Sequence, residues 1–143
     1  MVKKSGYVII ALFGWLKQKK IFVYKLWFRR GGHVVLTNDM ISDLIQGLQK
    51  IFGSLIEQII LYGSVARNEA TNESDVDIAI ILTDEMDEKV KEKFLIWSSD
   101  MDLRYDRFFS IVDIRKDKME QWGNILPFYR NIQKEGIILW SAA

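Results

Sequence analysis

Two aspartates separated by one residue, Asp75 and Asp77, are the side chains in this sequence best suited to chemistry. They stand at the start of an apolar run, Val76–Leu82, whose length and β-branched content are typical of a buried strand. Because side chains alternate along a strand, we expect both carboxylates to lie on one face. Two adjacent like charges need a counter-charge, and Mg²⁺ held by carboxylates together with substrate phosphates fits this pattern.

A glycine and a serine lie upstream, where another strand-like run at residues 59–62 ends. Gly63 allows a close backbone approach to a ligand, and Ser64 offers a hydroxyl. The amides of residues 64–66 would lie at a helix N-terminus, where anions are favoured. The sequence therefore predicts a strand, a phosphate-binding turn, a loop and a second strand that carries the metal.

These residues together resemble a known signature. The sequence G-S-x-A-R at residues 63–67, six further residues and then S-D-x-D at residues 74–77 is similar to the motif of the minimal nucleotidyltransferases in the DNA polymerase β-like superfamily. The resemblance extends from about residue 38 to residue 140 and weakens after residue 82. One departure is Asn68, where the family often has Gly. Asn tolerates the left-handed conformation better than most residues, so we expect the turn to be retained.

The resemblance implies a fold, a reaction and a set of site residues. The fold is α/β, a small mixed β-sheet with helices packed on it. The reaction moves a nucleoside monophosphate, AMP from ATP in our interpretation, to an acceptor hydroxyl with release of pyrophosphate. The implied nucleotide-binding residues are Gly63, Ser64, Arg67 and Ser74. For Arg67 a structural ion pair with Asp75 or Glu69 is the alternative.

The resemblance also implies two Mg²⁺ ions. A pair of ions about 3.5–4 Å apart stabilises both the attacking and the leaving oxygen, and it needs more carboxylate than Asp75 and Asp77 supply. In the family a third carboxylate comes from the neighbouring strand. We expect Asp113, inside the strand-like run at residues 108–114, to be this third metal ligand and catalytic residue. The alternatives are Asp106 and no third carboxylate.

The register of this third strand decides whether Asp113 reaches the site. Because side chains alternate, Asp113 points to one face of the sheet and its neighbours to the other. If Ser110 and Val112 face the site, Asp113 faces away. The sequence is compatible with both registers.

Composition limits the class of protein. The 143 residues are enough for one core and too few for two ordinary domains. The absence of cysteine excludes disulfides and thiolate metal sites, and the single His33 lies outside the motif, so any metal is expected to be bound by oxygen. Residues 39–143 carry 19 acidic side chains, which argues against direct nucleic-acid binding.

Residues 1–36 are predicted to form a basic, aromatic N-terminal extension, and residues 37–143 the nucleotidyltransferase domain. The apolar runs of the extension are too short to span a bilayer, and a cytoplasmic protein is expected. A basic interfacial anchor is an alternative. Since residues 30–33 can be encoded by purine-rich codons and are followed by potential start codons, we interpret residues 1 to about 35 as an over-extended gene prediction. The alternative is a real extension that packs on the domain or a partner.

The remaining pattern predicts the elements of the domain. Thr37 or Asn38 caps a helix that Gly53 ends. A surface helix is expected over residues 84–100, a short helix over 116–122, a further helix over 127–134 and a short strand or extended tail over 137–140. This order of elements is typical of an α/β domain.

Two classes of function compete. The chain has no room for an extra acceptor-binding domain, so we expect an enzyme that adenylylates a partner protein, a HEPN-type toxin as the resemblance to antitoxin-like members implies. A small-molecule transferase of the aminoglycoside type, with its acceptor site made by dimerisation, is an alternative in this class. The other class is a non-catalytic module that binds a nucleotide or caps the toxin. Both a homodimer and a hetero-oligomer agree with these interpretations.

Overall fold

The computed structural model describes residues 7–10, 24–27, 36–71 and 73–142. Its strands and helices are β1 (Tyr7–Ile10), β2 (Tyr24–Trp27), α1 (Asn38–Phe52), β3 (Ile56–Tyr62), α2 (Gly63–Ala66), β4 (Val76–Leu82), α3 (Glu88–Tyr105), β5 (Phe109–Arg115), α4 (Lys116–Trp122), α5 (Pro127–Glu135) and β6 (Ile137–Ser141). Strands β1 and β2 pair antiparallel in a sheet of their own. Residues 1–6, 11–23 and 28–35 of the predicted extension lie outside the described residues, and the division of the chain after residue 36 stays a prediction.

Helix α1 forms for the reasons expected from the sequence. The Thr37 hydroxyl accepts a hydrogen bond from the amide of Met40 at 3.2 Å, and Gly53 ends the helix with a positive φ of 53°. The apolar residues recur on one face, which is buried: Met40, Ile41, Leu44, Ile45, Leu48 and Phe52. This face packs on the sheet beside α3.

The second sheet has four strands in the order β5-β4-β3-β6. Strand β3 pairs antiparallel with β4 and with β6, whereas β4 and β5 are parallel and are connected through α3. The predicted α/β architecture with a small mixed sheet is therefore confirmed. Helix α3 begins later than predicted because Asp87 caps it, accepting a hydrogen bond from the amide of Val90 at 2.8 Å.

The two faces of this sheet are covered differently. The packed face, which meets α1 and α3, carries the fully buried residues Val76, Ile78, Ile80 and Leu82 of β4. The open face meets α4 and α5, and carries Ala79 and Ile81 of the same strand together with Met119 and Ile132 of the two helices. Because β4 alternates, Asp77 lies on the open face with Ala79. No helix in the described part of the chain is both long and apolar enough to cross a membrane.

Candidate active site

Gly63 connects the end of β3 to the short helix α2. Its φ is +71°, a conformation that side chains with a Cβ rarely adopt. An ideal Cβ on Gly63 would also overlap the carboxylate of Asp77, at only 2.9 Å from its Cγ. Glycine is therefore required here for two reasons. The turn needs a positive φ, and the carboxylate of Asp77 occupies the space that a Cβ would fill.

Asp75 and Asp77 stand at the start of β4, and their predicted place on one face of the strand stays a prediction, because Asp75 precedes the strand. Asp77 is the first residue of β4 on the open face. Asp75 is exposed and lies just before the strand. Partial burial raises the pKa of Asp77, and the negative charge of Asp75 raises it further, against a smaller opposing effect of Arg67. The pair is thus a concentration of negative charge that a cation would stabilise.

The turn after Gly63 is closed by its own backbone. The amide of Arg67 donates to the carbonyl of Gly63 at 3.1 Å, and the amide of Glu69 donates to that of Ser64 at 2.9 Å. Asn68 adopts a left-handed φ of 58°, which confirms the expectation that Asn can replace Gly there. The N-cap residue of α2, Tyr62, makes no side-chain capping hydrogen bond, and the leading amides of a helix have no acceptor within the helix itself. Ser64 is half-buried in this turn.

Arg67 is held by two glutamates. Its Nε lies 2.9 Å from Glu69, and its Nη1 lies 3.4 Å from Glu135 of α5. The hydrogen bond to Glu69, above all, raises the pKa of the guanidinium. The alternative of an ion pair with Glu69 therefore describes Arg67 in this structure, and Asp75 is not its partner. The contact with Glu135 also connects the turn to α5.

Ser74 stabilises the loop before β4. Its hydroxyl accepts a hydrogen bond from the amide of Thr71 at 2.8 Å and lies 3.2 Å from the Thr71 hydroxyl. The amide of Ser74 donates in turn to the carbonyl of Thr71 at 3.1 Å. These contacts give the Ser74 side chain a structural role in the loop. Its predicted role in nucleotide binding stays a prediction.

The structure places Asp113 away from the site. In the parallel pairing of β4 and β5, Asp113 lies opposite Ile80, a residue of the packed face, whereas Val112 lies opposite Ala79 on the open face. The prediction that Asp113 completes the metal site is therefore wrong, and the register is the reason. Asp113 instead lines a separate cleft of about 470 Å³ at the far end of β4, beside Arg115.

Asp106 does not replace it. This residue ends α3 in a left-handed conformation with φ of 49°. Across residues 36–71 and 73–142, no three side chains of Asp, Glu, His or Cys converge in a way that could hold a metal ion.

Arg107 is a site residue that the sequence did not single out. Its Nη2 donates to the carbonyl of Ser74 at 3.0 Å, immediately before Asp75. Burial lowers the pKa of this guanidinium while the charge of Asp75 opposes the shift, and its Nε is buried without a partner in the described part of the chain. Arg107 lies outside the motif, in the connection between α3 and β5. The sequence feature that could have indicated Arg107 is the position of a cationic residue just before β5, the strand that pairs with β4.

Aromatic rings border the open face near Asp77. Tyr62 is the residue of β3 opposite Asp77, and its ring meets that of Phe128 edge-on with centroids 6.0 Å apart. Burial, and then the charge of Asp77, raise the pKa of Tyr62, so its hydroxyl stays protonated at neutral pH. Phe128 is 45% exposed at the start of α5 and was not identified from the sequence.

Comparison with known proteins places this geometry in a family. The family model described as Polymerase beta, Nucleotidyltransferase matches residues 46–143. A Methanocaldococcus jannaschii protein, named as an unproven protein adenylyltransferase, is 28% identical over 92 residues, which cover 59% of this chain and 93% of that protein.

Solved structures share the fold. A crystal structure of a variant of the toxin–antitoxin MntA–HpeT superposes with a TM-score of 0.52 and 18% identity, covering 71% of this chain and 73% of that chain. A crystal structure of a toxin–antitoxin with AMP-PNP gives a TM-score of 0.51 with the same identity and coverage. At these identities the likeness shows the fold alone. Since the family model matches most of the chain, on the motif and sheet described above, this protein belongs to the polymerase β nucleotidyltransferase family.

Proposed function

We propose that this protein is an adenylyltransferase that moves AMP from ATP to a hydroxyl group of a partner protein, a HEPN-type toxin. The observation that carries the proposal is the contact between Gly63 and Asp77. It brings the turn that begins α2 against the carboxylate of Asp77, so that phosphate and cation would be bound side by side. The similarity to the Methanocaldococcus jannaschii protein supports a protein acceptor.

The proposed reaction is a displacement at the α-phosphorus of ATP. The acceptor oxygen forms a bond to this phosphorus, the bond between the phosphorus and the bridging oxygen to the β-phosphate breaks, and pyrophosphate leaves. The proton of the acceptor hydroxyl passes to solvent or to a neighbouring base. In this proposal Gly63 and Ser64 would bind the phosphates through the turn, and Asp75 and Asp77 would hold the cation that offsets their charge.

We also propose that transfer depends on Mg²⁺. The residues fit such an ion, because Asp75 and Asp77 are close enough for the negative charge of Asp75 to raise the pKa of Asp77. Two carboxylates together with nucleotide phosphates are a usual ligand set for this ion. When bound, Mg²⁺ would offset the charge of the phosphates during the displacement.

The acceptor is proposed to bring its own binding surface. Toxin–antitoxin pairs are among the solved structures that share this fold, and one of them contains AMP-PNP. A partner that docks beside the open face would present its hydroxyl to the nucleotide. In this proposal the assembly is a hetero-oligomer.

The test is transfer of label from ATP to the partner. The protein is co-expressed with the product of the neighbouring gene, purified, and incubated with ATP labelled at the α-phosphate, with Mg²⁺ or with EDTA. Label is expected on the partner only with Mg²⁺. An Asp77→Asn variant should transfer at least about 100-fold more slowly, which corresponds to about 2.7 kcal/mol, while its melting temperature is unchanged or raised. Undiminished transfer by this variant would remove Asp77 from the proposed site.

A non-catalytic nucleotide-binding module is the second candidate. It is favoured by one observation, the lack of any group of three metal-binding side chains in the described part of the chain. Titration with AMP-PNP separates the two functions. Binding of the nucleotide without labelling of any co-expressed neighbour would support the module over the enzyme.

A further inference from the structure

The residues paired with Asp77 on the two neighbouring strands determine which other side chains could bind a cation that Asp77 holds. Asp77 lies on a central strand, directly opposite Tyr62 on β3 and Ser110 on β5. Directly paired residues share a face of the sheet, so both neighbours project to the open face. Ser110 also shares this face with Val112, which packs in the open-face core. The positions beside Asp77 are therefore a phenol and a hydroxyl.

Neither neighbour supplies a negative charge. A tyrosine phenol is ordinarily protonated at neutral pH, since its unperturbed pKa is about 10. Serine is not ionised at any physiological pH. All 19 Asp and Glu residues of the sequence lie within the described part of the chain, and no three of them converge. Asp75 and Asp77 are therefore the only anionic side chains of the site among the described residues.

A cationic side chain reduces the net negative charge of the site further. Arg107 donates to the carbonyl of Ser74 at 3.0 Å, and its charge interacts with that of Asp75. Two divalent cations about 3.5–4 Å apart repel each other strongly and need several shared anionic ligands. Two carboxylates beside a fixed guanidinium provide too little negative charge for a second ion.

We infer that this site binds one divalent cation, between the Asp75–Asp77 pair and the nucleotide phosphates, and that Ser110 occupies the position from which a third carboxylate would bind a second ion. The strands are about 4.8 Å apart, so a carboxylate at residue 110 would lie across from Asp77 within the span of two ions and their ligands. The inference rests on the proposed function only in taking the phosphates of a nucleotide as additional ligands.

The experiment counts bound Mn²⁺ in the presence of AMP-PNP. Electron paramagnetic resonance gives the count from the loss of the free-ion signal, and it reveals spin coupling between two ions a few ångströms apart. The wild-type protein is expected to bind one uncoupled Mn²⁺ per chain. Ser110→Asp should bind a second, spin-coupled ion, whereas the neutral variant of similar size, Ser110→Asn, should bind one.

A third acid should also destabilise the protein without metal. If Ser110→Asp is unfolded in the absence of Mn²⁺, its melting temperature is followed as Mn²⁺ is added. The inference expects a steep rise for Ser110→Asp and a small one for Ser110→Asn, because only the aspartate adds a ligand. Equal rises in the two variants would overturn the role assigned to residue 110.

The remaining outcomes separate this inference from the proposed function. Two coupled ions in the wild-type protein would overturn the inference and leave the proposed transfer of AMP intact. Failure of Ser110→Asp to bind a second ion in the folded state would overturn it as well. No bound Mn²⁺ in the wild-type protein would overturn both the inference and the proposed dependence on Mg²⁺. The labelling of a partner is measured separately and is affected by none of these counts.

Discussion

The packed face and the open face of the four-stranded sheet have different tasks, although the same strands form both. On the packed face, β4 contributes only residues that are fully buried under α1 and α3. On the open face, the short helices α4 and α5 cover Ala79 and Ile81 but leave Asp77 half-buried at the end of the strand. Burial thus stabilises the whole packed face and part of the open face, while the uncovered end of the open face keeps charged groups near water.

The largest expected effect comes from breaking the packed face. Leu44 is fully buried in α1, and Leu44→Ala removes three heavy atoms and leaves a cavity that the surroundings refill only in part. The free energy of unfolding should fall by about 2–5 kcal/mol. Val112→Ala on the half-buried part of the open face should cost about 1 kcal/mol. Urea denaturation measures both, and equal losses would contradict the division of tasks.

A smaller loss of stability, with a larger loss of binding, is expected at the turn of the open face. Gly63→Ala places a side chain at a positive φ, which costs about 1–2 kcal/mol, and it also displaces the carboxylate of Asp77. Gly53→Ala is the matched control, because Gly53 has a positive φ of 53° and nothing within 4 Å of its ideal Cβ. Thermal melts should show a loss in both variants, with the larger loss for Gly63→Ala because of the added overlap with Asp77, and titration with Mn²⁺ and AMP-PNP should show weakened binding only for Gly63→Ala. Equal affinities in the two variants would separate the turn from the site.

The helices over the packed face contain an acid-sensitive contact. Asp43 of α1 accepts hydrogen bonds from Tyr105 and from Arg104 of α3, and these contacts, the first above all, hold its pKa below the ordinary value of 3.8. Because the folded-state pKa is the lower one, the stabilisation is complete above the unfolded pKa and is lost as the pH falls through the folded pKa. Asp43→Asn should therefore reduce the acid dependence of the melting temperature below about pH 4. A pH profile that is unchanged in the variant would exclude this contact as its source.

The smallest effect is expected at Asp113. Since this carboxylate lies across the sheet from Asp77, Asp113→Asn should leave AMP transfer and Mn²⁺ binding unchanged and alter stability by no more than about 0.5 kcal/mol. Labelling assays and melts of the variant beside wild type provide the check. A loss of transfer comparable with that of Asp77→Asn would show that the two faces act together.

Local patterns in the sequence predicted the elements well. The Thr37 cap and the apolar period of α1, the bounds of β4 and the left-handed Asn68 each depend on residues close in the chain, and the structure confirms them. The same motif identified Gly63 and the interacting pair of carboxylates.

What the sequence missed depends on pairing between distant segments. The position of Asp113 follows from the register of β5 along β4, which no local period specifies. Arg107 reaches the carbonyl of Ser74 across 33 residues, and its place just before β5 was a weak signal that did not predict this contact. The site is thus a product of two strands whose relative alignment is set by the whole fold.

The order of the strands also has a consequence for the chain as it leaves the ribosome. Strand β6 lies beside β3, although β4, β5 and four helices separate them in sequence. The β3–β4 hairpin can form early, and β5 can join it once α3 is complete, but the outer edge of β3 stays unpaired until residues 137–141 emerge. During this interval the nascent domain exposes the backbone groups of Ile59 and Leu61, which can pair with strands of other chains. Completion of the last strand closes this edge.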